Sequence, residues 1–207
     1  MTTPPLLTSP RLVLRPWCDA DASALYPLAS DPEVGPRAGW PPHTSEQESL
    51  HIIRTVFANP TTWAVTLRAD GTLIGAIGYG PSCDCSLPAL PGEPTVGYWI
   101  GRAYWRQGYC TEALSTLICH VKAHTNIPSL ISGHFTDNEA SGRVMLKCGF
   151  RPTGHTVFDP SLVGGADRPI RVLRLTWQKR VRRSVDADSQ HAPFARMLQP
   201  CYKAVAR

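Results

Sequence analysis

No apolar run in this sequence approaches the ~18 residues that a membrane-spanning helix needs. The opening Met1-Thr2-Thr3-Pro4-Pro5 has neither a positive start nor a long apolar stretch, so no secretory leader is expected. There is no C-x-x-C pair and no internal repeat. The 7 cysteines stand at 18, 83, 85, 110, 119, 148 and 201, and their odd number and scatter read as reduced thiols of a cytoplasmic protein. Cys83-x-Cys85 is half a zinc site with no close histidine, so no metal is expected. Residues 1–177 also lack a surplus of either charge, with 14 Lys/Arg against 14 Asp/Glu. The net +5 therefore sits in the last thirty positions, which hold seven basic residues and only Asp186 and Asp188. That balance weakens the case for a positive face on the body toward nucleic acid or an anionic membrane, and leaves the tail as the one candidate.

The chain does carry apolar content of 43%, enough for a sizeable core, and charged residues of only 18%, too few for a disordered polyampholyte. Its 20 prolines are roughly double the usual ~5% and foretell many loops. Arg11–Arg15 alternates as a first strand and Pro16 stops it. Residues 19–28 and a segment opened by the capping-box pair Ser45 and Glu48 read as two helices. Residues 63–67 and 72–79 flank Asp70-Gly71 as a hairpin. Residues 80–94 are a proline-rich excursion, and 95–100 returns as a strand. A polar turn then leads into a helix with Ala113, Leu114, Leu117, Ile118 and Val121 on one face. A strand at 129–135, a helix from Asn138 to Lys147 closed by Gly149, and strands near 151–158 and 170–177 complete the pattern. This order predicts an α/β (α+β) domain with helices packed on a sheet.

The stretch Gly97-Tyr98-Trp99-Ile100-Gly101-Arg102-Ala103-Tyr104-Trp105-Arg106-Gln107-Gly108-Tyr109-Cys110-Thr111-Glu112-Ala113-Leu114 carries the most chemistry. Strand, glycine-containing turn and amphipathic helix follow one another directly. The first N–H groups of such a helix have no internal partners, and the dipole favours an anion there. Gly108 permits close approach of the backbone to a phosphate, and Arg102 and Arg106 offer charge-assisted bonds. An ordinary strand–turn–helix crossover has the same spacing.

With its neighbours this stretch resembles the GNAT acyl-CoA N-acyltransferases, in particular their RimJ/RimL-like branch. Asp137-Asn138-Glu139-Ala140-Ser141 followed by Lys147-Cys148-Gly149-Phe150 is similar to that family's N-x-x-S helix ending in Gly-Phe. Leu12-Val13-Leu14-Arg15-Pro16-Trp17 and Asp31-Pro32-Glu33-Val34 also resemble the branch, and Cys110 and Arg106 depart from it. The resemblance covers about residues 8–178 and leaves 179–207 as a basic C-terminal extension.

The resemblance implies a GNAT fold, with a central mixed, mostly antiparallel sheet and helices on both faces, and transfer of acetyl from acetyl-CoA to an amine. Trp105, Arg106, Gln107, Gly108, Tyr109, Cys110 and Thr111 would hold the CoA pyrophosphate. The strand at Trp99, Ile100 and Gly101 would pair with the pantetheine amides, with the Ile100 N–H facing the thioester oxygen. Asn138 would bond the cofactor from the next helix. The family's acid tyrosine falls on Met145, leaving Ser141 as the nearby donor. Its usual glutamate falls on Thr95, so Glu93 or a water relay would serve as base, Glu93 being otherwise a solvated loop carboxylate. Trp40 and His134 are the candidate acceptor contacts, and packing roles compete for both. Cys110 at a helix start reads as a packed small residue before a thiolate nucleophile.

The acceptor is either a protein N-terminus or a small-molecule amine. A catalytically weak CoA-binding sensor, or a nucleic-acid-associated protein working through the tail, is the alternative. The tail pairs Lys179-Arg180-Val181-Arg182-Arg183 with an apolar pattern at Phe194, Met197, Leu198, Tyr202 and Val205. Solvated chain, ribosomal RNA contact, another acidic partner and a neighbouring subunit all remain open for it, as does a homodimer for the whole.

Overall fold

The computed structural model describes residues 3–82 and 86–177. Cys83, Cys85 and the basic tail lie outside the described residues. Eight strands form one sheet: β1 (Leu7–Thr8), β2 (Leu12–Arg15), β3 (Thr62–Leu67), β4 (Leu73–Gly80), β5 (Thr95–Ile100), β6 (Ser129–Phe135), β7 (Arg151–Val157) and β8 (Ile170–Thr176). The spatial order is β1-β2-β3-β4-β5-β6-β8-β7. Only β5 and β6 run parallel; every other neighbouring pair is antiparallel. The expected mixed, mostly antiparallel sheet is therefore what forms.

Helices cover both faces, each placed by its apolar stripe. On one face lie α4 (Tyr109–His124) and α5 (Glu139–Lys147). Ala113, Leu114, Leu117 and Val121 of α4 pack on Leu12, Leu14, Ile74 and Val96, all nearly solvent-free. The opposite face carries α1 (Ala22–Ala29), the short α2 (Gly35–Ala38) and α3 (Glu46–Ile52). There Ala22 and Leu25 meet Ala76, Trp99 and Trp40. Ser45 caps α3 by accepting the Glu48 N–H, as its position predicts. The Glu48 carboxylate does not complete the box but bonds the Thr44 N–H and hydroxyl instead.

Two features escape the sequence pattern. The two-residue β1 and four-residue α2 are too short to show a period. The last hairpin is also transposed: β8 lies between β6 and β7, pairing with β6 from Ser129↔Thr176 to Phe135↔Ile170.

The consequential feature is between β5 and β6. β4 and β5 pair along their lengths, from Gly80↔Thr95 to Gly75↔Ile100. β5 and β6 share a single register pair, Thr95↔Ile131. The Ile131 N–H donates to Pro94 O at 3.1 Å and the Ser132 hydroxyl to Val96 O at 2.9 Å, and beyond these the strands part. The sheet is thus split at its centre.

Candidate active site

The split opens a cleft of about 850 Å3 that runs through the sheet from the α4/α5 face to the α1–α3 face. Strand alternation assigns its walls. The Gly101 N–H donates to Ile74 O at 2.8 Å, so Gly97, Trp99 and Gly101 turn their backbone groups toward β4. Tyr98 and Ile100 turn theirs toward the gap. The Ile100 carbonyl accepts from the Trp105 indole at 2.6 Å, leaving its N–H facing the opening. This corrects the expectation for Trp99 and Gly101: their amides complete the β4 ladder, and Tyr98 and Ile100 offer the edge.

At one end of the cleft is the turn into α4. Gly108 is its N-cap with φ +82°, and Arg106 is the one non-glycine residue of positive φ among the described residues, at +61°. A β-carbon at Gly108 would meet nothing closer than the Arg11 guanidinium at 3.5 Å, so space remains against that backbone. The first α4 hydrogen bond runs from the Glu112 N–H to Gly108 O, and the N–H groups of Tyr109, Cys110 and Thr111 point out of the helix end. Tyr104, Trp105, Arg106, Gly108, Tyr109, Cys110 and Thr111 all line the cleft. Gln107 does not; its side chain returns to Ala103 O. Arg102 ion-pairs with Asp31 at 3.1 Å and is diverted from the turn. Burial pushes the Cys110 thiol well above its ordinary range, as suits packing and not a nucleophile.

Arg11, which sequence reasoning passed over, braces this turn. Its Nε donates to Glu112 Oε2 at 2.7 Å and its Nη1 to Gln107 O at 3.0 Å, while its guanidinium stacks 4.4 Å from the Tyr109 ring. Ser9 and the Arg11 N–H hold the other Glu112 oxygen. The alternation of Arg11–Arg15 identified a strand but not where its first side chain would reach.

Ser141 lies in the cleft wall on α5, and its Oγ is 3.1 Å from the Tyr98 hydroxyl. The Tyr98 hydroxyl also donates to Ser141 O at 3.0 Å. Burial pushes the Tyr98 phenol far up, so it stays neutral. Tyr98 was visible as a strand residue, but its pairing with α5 depends on the fold. Asn138 caps α5 by accepting the Ser141 N–H, and its Nδ2 donates to Arg37 O at 3.0 Å. Met145 is fully buried.

Three other expectations meet a different geometry. Glu93 is neither solvated nor presented to the cleft. It is 2% exposed, and its carboxylate takes the Arg174 Nε at 2.8 Å and the Leu90 N–H at 3.0 Å. Burial alone would raise its carboxyl, but Arg174 and Leu90 outweigh burial and hold it below the usual range. Trp40 does not line the cleft; it packs edge-on against Trp99, 5.6 Å between centroids, one layer behind the wall. His134 does line it, but from the α5 side. A β-carbon on Gly142 would lie 2.6 Å from its Nε2, and its Nδ1 bonds Phe135 O at 2.8 Å.

Comparison with known proteins supplies the lineage. The family description "Acetyltransferase (GNAT) domain" matches residues 11–151. The uncharacterized N-acetyltransferase YoaA of Bacillus subtilis (strain 168) is 30% identical over 155 residues, covering 72% of this chain and 85% of that protein. A GNAT-family acetyltransferase from Bacillus anthracis superposes with a TM-score of 0.69 at 18% identity, over 83% of this chain and 98% of its own. RimL, a ribosomal L7/L12 α-N-protein acetyltransferase solved with coenzyme A, superposes at 0.68 and 17% identity, over 83% and 98%.

Proposed function

The chain belongs to the GNAT acetyltransferase family, and from that premise we propose that it moves an acetyl group from acetyl-CoA to a primary amine by direct attack in a ternary complex. The observation that carries the reading is the continuity of the β5–β6 split with the α4 turn. The turn offers unpaired N–H groups and a φ +82° glycine to a pyrophosphate, and the split offers a strand edge to an extended amide chain.

The amine nitrogen attacks the thioester carbon and forms the new C–N bond. The Ile100 N–H stabilises the oxyanion that develops on the former carbonyl oxygen. Collapse breaks the C–S bond. The surplus amine proton leaves through water, and the departing sulfur takes its proton from solvent while Ser141 hydrogen-bonds it. A free thiol titrates near ~8.5, so this leaving group needs little more than such a bond. The neutral Tyr98 hydroxyl holds Ser141 in place. Glu93 is absorbed by Arg174, so the base is the water relay.

Residues 8–178 are the proposed catalytic unit, with 179–207 an appended segment whose basic run would meet an acidic partner. Cys18, Cys110, Cys119 and Cys148 are free thiols, which supports a reducing, cytoplasmic setting. No helix among the described residues is long and apolar enough to cross a membrane.

Thiol release from acetyl-CoA with a panel of amines tests the reading, with CoA affinity measured by calorimetry. Ser141→Ala is expected to lower kcat about tenfold or more with CoA affinity kept, in keeping with the ~1.5–3 kcal/mol of one hydrogen bond to a charged group. Micromolar CoA binding with no thiol release for any amine would overturn it.

A further inference from the structure

The half of the cleft on the α1–α3 face is floored by Ala76, Gly78, Gly80 and Gly133, whose lack of bulk leaves its space open. The loop between β7 and β8 closes one side of it. That loop packs on the end of α2: the Val163 N–H donates to Gly39 O at 3.0 Å, and a β-carbon on Gly39 would lie 3.1 Å from the Leu162 side chain. Asp159, near the start of the loop, lines the cleft and is 7% exposed.

Asp159 differs from the charged groups around it. Asp137 pairs with Arg168 at 2.8 Å, Glu139 with Arg143 at 3.2 Å and Arg37 with Glu33 at 2.8 Å. Among the described residues, Asp159 is the cleft carboxylate held by neutral groups. Its Oδ1 accepts the Ser161 N–H at 3.0 Å and the Ser161 hydroxyl, and its Oδ2 accepts the Ser86 N–H at 3.3 Å. A carboxylate has room for about four donors, so Oδ2 keeps an acceptor site. Backbone bonds fix the residue as well, from the Asp159 N–H to Gly165 O at 3.1 Å and from the Leu162 N–H to Asp159 O at 3.0 Å. Neutral donors satisfy its oxygens without cancelling its charge, and a cation at the open site would do both.

We infer that Asp159 binds a second positive group of the acceptor, which is then a small amine carrying a further ammonium at the far end of a linker. The inference rests on the acetyl-transfer reading and deepens it. Two arguments separate this group from the nitrogen that reacts. A carboxylate beside an ammonium favours the charged form, whereas transfer needs a neutral nitrogen. Position agrees. Ser86, which donates to Asp159, precedes Leu87, and Leu87 lies 3.2 Å from where a Gly133 β-carbon would stand. In the parallel register set by Thr95↔Ile131, Gly133 is level with Gly97, three residues before Ile100. At ~3.3 Å per residue that is about 10 Å along β5, so a chain of several atoms joins the two groups.

Thiol release by the full chain at saturating acetyl-CoA would be compared for 1,8-diaminooctane, octylamine and a serine-initiated octapeptide without basic side chains. The first two differ only in the terminal ammonium. The expected kcat/KM for the diamine is at least tenfold above the other two, the scale of one charge-assisted hydrogen bond. Asp159→Asn keeps an oxygen for Ser161 and removes the charge. It is expected to raise the KM of the diamine at least tenfold, to change that of octylamine less than threefold and to leave CoA affinity unchanged. Ser161→Ala removes a donor from the same turn but keeps the charge, so the preference for the diamine should survive it. Octylamine or the octapeptide reacting as well as the diamine would overturn this inference and leave acetyl transfer standing. So would an Asp159→Asn loss shared equally by octylamine, or a preference abolished by Ser161→Ala as fully as by Asp159→Asn, since either makes the residue a support for the loop. No release with any amine would remove both readings.

Discussion

Removing the Arg174 guanidinium should cost this protein more than removing both it and the carboxylate it holds. In the native fold the Glu93 side chain is 1% exposed and Arg174 22% exposed, with Nε 2.8 Å from Oε1. Arg174→Ala leaves a carboxylate in that site with the Leu90 N–H, at 3.0 Å, and the Ser129 hydroxyl as its remaining donors. Breaking a buried pair from one side costs ~3–5 kcal/mol, and the retained Leu90 bond argues for about 3. At ~2–4 °C per kcal/mol for a chain of this size, the melting temperature should fall by about 6–12 °C at pH 7. The double variant Glu93→Gln with Arg174→Met, which removes both charges, should recover more than half of that loss. The pH dependence has a definite sign. The folded Glu93 carboxyl lies below its ordinary value, so the pair's stabilisation is present above the unfolded value of ~4.3 and is lost as pH falls through the folded one. The gap between wild type and Arg174→Ala should therefore narrow with falling pH and close only below ~4.3, as pH passes through the folded value. Thermal melts followed by circular dichroism at several pH values measure all of this. A loss below 1 kcal/mol at pH 7, or a gap that does not depend on pH, would refute the reasoning. Glu93→Gln adds an independent check: kcat/KM is expected to rise with pH as the acceptor amine loses its proton, and the substitution should leave that rise where it was. Disappearance of that rise would return Glu93 to the role of base.

Gly108→Val places a β-branched residue at φ +82° and a side chain where a phosphate would approach; CoA affinity should fall at least tenfold by calorimetry, and unchanged affinity would refute the placement of the turn. Gly142→Ala sets a methyl 2.6 Å from His134 Nε2, so α5 must shift; about 1–3 kcal/mol should be lost in denaturant unfolding, and the double variant with His134→Ala should regain part of it. Removing residues 180–207 should leave a cooperatively melting domain that binds CoA with native affinity; loss of the cooperative melt would show that the tail belongs to the fold.

The legible parts of this fold are those set by local chemistry. β6 runs from Ser129 to Phe135 as its apolar run indicates, and Asn138 caps α5 with Gly149 at φ +91° beyond its end. Each signal rests on neighbours within a few residues, where a cap, a turn or a period is written directly into the chain. The Asp70-Gly71 hairpin is of the same kind, with Gly71 at φ +76°. The α4 turn belongs here too, because unpaired helix N–H groups and a positive-φ glycine are local properties.

What the chain does not disclose locally is where side chains from distant segments meet. Glu93 and Arg174 lie eighty-one positions apart, and their pairing exists because β8 inserts beside β6, with Arg174 opposite Ile131 and Ile131 opposite Thr95. That register turns a candidate base into half of a buried ion pair. Arg11 reaches Glu112 across a similar separation, and Tyr98 reaches Ser141 only because β5 and α5 face the same side of the split. Trp40 shows the converse: a tryptophan between two helices suits a cleft wall or a core equally, and contact with Trp99 and Val34 decides for the core. The cofactor half of the site is built from a turn, and turns can be read from sequence. The acceptor half is built from the facing of strands, and a one-residue slip in β5 would exchange Tyr98 and Trp99 between the two faces. Identifying the acceptor therefore depends on register, and the floor of glycine and alanine under the α1–α3 face becomes visible only when β4, β5 and β6 are laid side by side.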